Sequence, residues 1–415
     1  MEAAAGMTAA GRRLLVGLLF VAIALNYVDR QVLSLLKPTL EAEFGWTSSD
    51  YAHLGSAFQI AAASALLLVG WFVDRVGVRL ALGLGVVLWS LAGMAHAFAG
   101  SVQQFVAARV ALAVAESVGT PAAVKTAAVY LPLRQRSFAL GLFNTAPNIG
   151  AILTPLLIPP LALAFGWRAA FLVTGGLGLV WAIFWIIGTR RLRPVEAVTA
   201  ATPKAAGWGM LLRARSSWTI IGAKALSDLV WWFVLFWTPD FFHREFGLEQ
   251  GALGYPIVLI FSFAAAGALS SGWLFPKLVD SGLSINAARK RSMLFYALLI
   301  VPIPLALLTQ SAWVAALLIG VGLFAHQGIS TNIFGLSTDI VPASGIARVI
   351  AMGAVAGNIS GSLIIELAGW SIDNGHGYWP MFAICAVAYL LALAFIQLML
   401  PVIRPVNPLD ERPAA

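Results

Sequence analysis

Twelve apolar runs, each about 20 residues or longer, succeed one another along this 415-residue chain with short polar breaks between them. They fall at about 13–36, 50–73, 80–99, 103–128, 136–163, 167–188, 217–242, 252–275, 290–308, 311–337, 345–371 and 377–402. A helix of that length crosses a hydrocarbon layer about 30 Å thick. Only 11% of the residues are charged and 60% are hydrophobic, against about 25% charged in a soluble domain. Such a chain cannot cover itself with a water-facing surface. The sequence therefore predicts an all-α membrane protein of twelve transmembrane helices.

Arg12 and Arg13 precede the first run, as they would in a secretion signal. The run is too long for one and lacks a small-residue cleavage pattern, so it reads as the first spanning helix. Basic residues concentrate on the cytoplasmic side of membranes. With both termini placed there, nineteen of the 26 Lys and Arg residues fall inside, and Lys37, Arg168 and Arg244 fall in outer loops. The net charge of +8 then reflects topology, not nucleic-acid binding. The remaining four cations, Arg30, Arg109, Lys125 and Lys224, sit within apolar runs. Cys385 is the lone cysteine, so there is no disulfide framework.

The longest polar break, 189–216, divides the runs six and six: an N-terminal bundle over 1–188, a cytoplasmic linker, and a C-terminal bundle over 217–415. "GWFVDRVGVR" at 70–79 follows the second run, and "GWLFPKLVDSG" at 272–282 follows the eighth. A repeat at matching places in two six-helix halves is one recurring plan of secondary transporters, whose substrate site lies at the midplane.

The spacing Gly70, Asp74, Arg75, Gly77, Arg79 resembles the loop signature of the major facilitator superfamily. That resemblance implies a gating role, with the carboxylate and arginines tying cytoplasmic helix ends together. A finer resemblance covers most of the chain. "NYVDRQ" (26–31), "PAAVK" (121–125), "GLFNTAPNIGA" (141–151), "GWRAAFLVTG" (166–175), "SDLVWWFVLFW" (227–237) and "FAHQGISTNIF" (324–334) are similar to strings in the hexuronate-transporter branch of the anion:cation symporters. The chain departs from that branch at Ala62, where a tyrosine is common, at "FPK" (275–277), at "VYLP" (129–132), and in carrying Glu366.

Charges inside a bilayer are costly and mark functional positions. Arg109 and Glu116 are seven residues apart, on one helix face about 10 Å apart along the axis. A carboxylate in such a cavity exchanges its proton when a cation or an anion moves past it. Asp29, Glu116 and Arg109 are therefore candidate proton-coupling residues; a static pairing of Asp29 or Glu116 with Arg30 or Arg109 is the plainer alternative. Arg30 has a planar fork suited to a carboxylate, and Tyr27 lies one turn before it. Lys125 is a substrate contact by resemblance, or a lysine that snorkels to the cytoplasmic surface. Pro121 can kink its helix.

Asn144, Asn148, Gln327, Asn332, Asn358 and His326 are candidates for sugar hydroxyls, with helix–helix hydrogen bonding as the alternative reading of the asparagines. Trp231 or Trp232 offers a face to a sugar ring while the other meets lipid. Lys224 and Asp228, at i and i+4, neutralise each other.

His residues 53, 96, 243, 326 and 376 show no metal-ligand spacing, and no nucleophile constellation is present, so neither an enzyme, a metal nor a cofactor is expected. A channel would need equivalent polar groups around a ring, whereas these charges are asymmetric. A drug/proton antiporter would favour an anionic pocket, and a non-transporting sugar-acid sensor would bind without uptake. The expectation is a monomeric inner-membrane transporter, surrounded by lipid, that moves a sugar acid with protons rather than Na⁺. A hexuronate is the first substrate and an aldonate or another organic anion the alternative.

Overall fold

A computed structural model describes residues 8–190, 208–342 and 344–403. These residues form fourteen α-helices: α1 Ala9–Phe44, α2 Ser48–Val76, α3 Val78–Ala95, α4 Val102–Glu116, α5 Gly119–Tyr130, α6 Leu133–Phe165, α7 Trp167–Gly188, α8 Trp208–Arg213, α9 Arg215–Phe246, α10 Gly254–Asp280, α11 Ile285–Leu299, α12 Ala312–Ile340, α13 Ile346–Asp373 and α14 Trp379–Met399. Twelve helical stretches among the described residues are long and apolar enough to cross a membrane, with α4 and α5 sharing one stretch and a 3₁₀ turn extending α11. The fold is thus all-α with twelve spans. Residues 191–207, most of the expected linker, lie outside the described residues.

The chain contacts divide into two compact units, Met1–Thr202 with Pro239–Val258, and Pro203–Thr238 with Leu259–Ala415. In the first, α1 packs on α6 and α7, α3 on α7 and α4, and α2 on α4. In the second, α11 packs on α12 and α14, and α13 on α12 and α14.

Helix ends follow local chemistry. Gly45 closes α1 at φ 66°, donating to the Glu41 carbonyl, and Thr47 opens α2 in a capping box with Asp50. Gly77 of the loop signature separates α2 from α3 at φ 84° and ψ 145°, backbone that a side chain would strain. Arg79 donates from Nε to the Thr189 hydroxyl at 3.0 Å and from Nη2 to the Ile186 carbonyl at 3.4 Å. A cation on the last carbonyls of α7 is favourable there.

All three expected outer-loop residues are helical instead, with Arg168 in the first turn of α7. Lys37 lies within α1, fully buried, and Arg244 lies within α9. Their helices outrun the apolar pattern because opposite charges enclose each other. Lys37 Nζ donates to Glu41 at 2.8 Å and to Asp240 at 2.6 Å. Arg244 bonds to Asp240 at 3.1 Å and also to Glu41. The four charges close into a neutral ring within the first unit, and Lys37 lies 5.4 Å from the centre of the Tyr51 ring.

Removing one member of a buried ion pair leaves its partner uncompensated, so Lys37→Ala should destabilise the protein by about 3–5 kcal/mol. The double change Lys37→Met with Asp240→Leu leaves Glu41 and Arg244 as a pair and should recover most of that loss. Thermal unfolding in detergent compares the three proteins.

Candidate functional site

Chain chemistry first interrupts the fourth span. Pro121 has no N–H to give the Ser117 carbonyl and sits in the first turn of α5, where proline is tolerated. The span breaks directly after Glu116, between α4 and α5. Asn26 of α1 then donates to the Glu116 carbonyl at 3.3 Å.

The carboxylate of Glu116 meets α1 at the same level. Arg30 Nε donates to Glu116 Oε2 at 2.8 Å, with the Glu116 side chain at 0% and the Arg30 side chain at 14% relative exposure. Arg109, fully buried, donates from Nη2 to the Arg30 carbonyl at 3.2 Å. The Phe58 ring lies against both guanidinium groups, at 5.3 Å from Arg30 and 4.9 Å from Arg109, and Tyr27 lies 4.9 Å from Arg30. Asp29 is buried within the electrostatic reach of Glu116 and Arg109, beside Thr174. Asp29 Oδ2 and Glu116 Oε1 have no hydrogen-bond partner among the described residues. Tyr27, Asp29, Arg30, Arg109 and Glu116 are therefore one cluster in the first unit. Gly150 makes room for it: a Cβ there would strike the Ala24 carbonyl and the Tyr27 side chain. α6 can press on α1 at this level because Gly150 lacks one.

Other expected site residues lie elsewhere. Lys125 pairs with Asp74, and both side chains are exposed, at 37% and 73%. Asp74 of the loop signature is thus tied to span four within its own unit. A Cβ on Gly70 would meet nothing within 4 Å, so the structure gives that glycine no steric reason; Arg75 is exposed. Asn148 is buried in α6. Asn144 is helical, and its side chain lies outside those described.

In the second unit Lys224 Nζ donates to Asp228 Oδ1 at 2.8 Å, and the Ser227 hydroxyl donates to the same oxygen at 3.1 Å. Trp231 stacks on His326, with ring centres 5.4 Å apart and planes 25° apart, and meets Phe261 at 76°. His326 Nδ1 lies 2.9 Å from the Tyr389 hydroxyl. Gln327, next to His326, is partly buried. Asn332 sits in a different network: its amide donates to Ser271, Ser292 and the Gly328 carbonyl, while Arg289 donates to its carbonyl oxygen at 3.4 Å. Arg289 in turn pairs with Asp339 at 2.8 Å. Asn358 donates to the Ala354 carbonyl of its own helix.

The sequence reading passed over Gly353, Gly357 and Gly361 on α13. A Cβ on each would strike Lys224, Asp228 and Trp232 respectively, three residues that are themselves four apart on α9. Small residues at this spacing let helix backbones approach closely in membranes. Trp232 is buried against this stripe and does not face lipid. The signal was legible as "GAVAGNISG", glycine at every fourth position.

These features define a multi-span membrane protein with charged clusters buried inside its helices. The Major Facilitator Superfamily profile matches residues 19–365, and the chain belongs to that superfamily. It is 31% identical to the "Probable L-galactonate transporter" of Escherichia coli strain K12, over 94% of this chain and 89% of the relative. It is 27% identical to the hexuronate transporter of the same strain, over 93% of each. The fold is also that of a bacterial homologue of the human lysosomal transporter Spinster, with a TM-score of 0.79 at 18% identity, covering 97% of this chain and 100% of the other. The family makes it a multi-pass transporter of the inner membrane, not an enzyme.

Filling the glycine stripe tests its role. Gly361→Ala should overpack Trp232 and cost about 1–3 kcal/mol, seen as a lowered unfolding temperature, whereas Gly70→Ala should leave that temperature unchanged.

Proposed function

We propose that this protein is a proton-coupled symporter of a sugar acid, working by alternating access with both termini cytoplasmic and with halves at 1–188 and 217–415 joined by the 189–216 linker. The observation that carries this reading is the Arg30–Glu116 bond at 2.8 Å beside Asp29 and Arg109. A substrate carboxylate that takes the Arg30 guanidinium competes with Glu116 for it. Leaving Glu116 as a bare buried anion costs several kcal/mol, and a proton offsets that cost. Anion entry and proton loading are then one event. Asp29, at electrostatic distance from the same groups, is a second acceptor.

An aldonate is the favoured substrate and a hexuronate the second. The relative at 31% identity is named for a galactonate and the one at 27% for hexuronates. Lys125 serves in this reading at the cytoplasmic surface with Asp74, in place of contacting the substrate.

Uptake into proteoliposomes tests the proposal with galactonate, gluconate, glucuronate, galacturonate and glucose under imposed pH or Na⁺ gradients. Acidic external pH should drive accumulation of an aldonate, Na⁺ should not, and glucose should compete poorly. Equal competition by glucose and the acids would sink the acid reading. Glu116→Gln, a mimic of the protonated residue, should abolish pH-driven accumulation while leaving downhill exchange. If it still concentrates substrate as the parent does, Glu116 is not the coupling site. With two protons per monovalent acid, membrane potential adds about 2.3 kcal/mol per 100 mV; uptake indifferent to potential limits the cycle to one.

A further inference from the structure

The last span contributes nothing to the site as read from the sequence, yet one of its side chains touches it. Tyr389 of α14 is fully buried, with its hydroxyl 2.9 Å from His326 Nδ1 and its ring centre 6.0 Å from that imidazole. His326 is thereby tied to α14 through Nδ1, while its ring face stacks on Trp231 of α9.

An imidazole held at Nδ1 cannot turn about its bond to Cβ without losing that hydrogen bond. Its plane is the surface on which Trp231 rests, 25° from parallel and 5.4 Å away. The Phe261 ring, 5.8 Å from the indole at 76°, bounds it elsewhere. We propose that Tyr389 is a positioning residue: its hydroxyl fixes the plane of His326, which sets the orientation of Trp231 and with it the affinity for substrate. The effect on affinity rests on the sugar-acid reading above; the orientation of the indole does not.

Tyr389→Phe removes the hydroxyl and keeps the ring. With one hydrogen bond lost, KM should rise about 3- to 10-fold at unchanged maximal rate and unchanged unfolding temperature. A structural role alone would lower the unfolding temperature and the rate together. The chain has 15 tryptophans, so 5-fluorotryptophan labelling with Trp231→Phe identifies the Trp231 ¹⁹F resonance in the substrate-free protein. Tyr389→Phe should shift or broaden that resonance. His326→Leu should do the same and supplies this readout should Tyr389→Phe fail to accumulate. Adding Tyr389→Phe to His326→Leu should change KM no further, because the hydroxyl acts through the imidazole. An unmoved Trp231 resonance in both variants, or additive effects on KM, would overturn the proposal. If the parent protein takes up no sugar acid, the substrate reading fails while the fluorine arm still decides the positioning role.

Discussion

Inside a membrane, a charge needs an answering charge or main-chain dipole close by, and the bond from Arg30 to Glu116 is where this chain depends most on that rule. The bond joins the first span to the fourth. Arg109 then fastens to the main chain of Arg30, Asn26 fastens to the carbonyl freed at the end of α4, and Phe58 fills the space against both guanidinium groups. The Asn26 contact presupposes the break after Glu116. A continuous helix would satisfy the Glu116 carbonyl internally and leave Asn26 without that acceptor.

The second unit meets the same constraint differently. Two of its charges, Lys224 and Asp228, are neighbours on one helix and neutralise each other locally. What they need from the rest of the unit is space, and α13 supplies it with glycines. Trp231 of the same helix and the His326 imidazole stack beside them. Arg30 of the first unit is neutralised across two helices, and Lys224 of the second within one, while Arg289 and Asp339 of the second unit pair across α11 and α12.

Much of the fold was legible because hydropathy is a strong signal over 20 residues. The run at 167–188 coincides with α7, and the others lie within a few residues of their helices. The ends were less legible where ion pairing buries polar residues. Lys37 and Arg244 read as loop residues because their partners across the helices, Asp240 and Glu41, lie 203 residues away in sequence. The cluster around Arg30 could be suspected from Arg109 and Glu116 sharing a face, but the pairing of Glu116 with Arg30, 86 residues away, could not. Nor could the attachment of Lys125 to Asp74, since Pro121 obscured the phase of its helix. Tyr389 gave no sign at all, because a tyrosine in an apolar run carries no pattern of its own.

The ring of Lys37, Glu41, Asp240 and Arg244 has a property that a simple bridge lacks. Each helix owns one cation and one anion spaced four residues apart, so each half of the ring is neutral by itself. Parting α1 from the end of α9 exchanges two cross-helix contacts for pairs that already exist, Lys37 with Glu41 and Asp240 with Arg244. No bare charge is stranded at any stage of that separation. A fastening built this way would cost less to open than a single bridge between two otherwise unpaired charges.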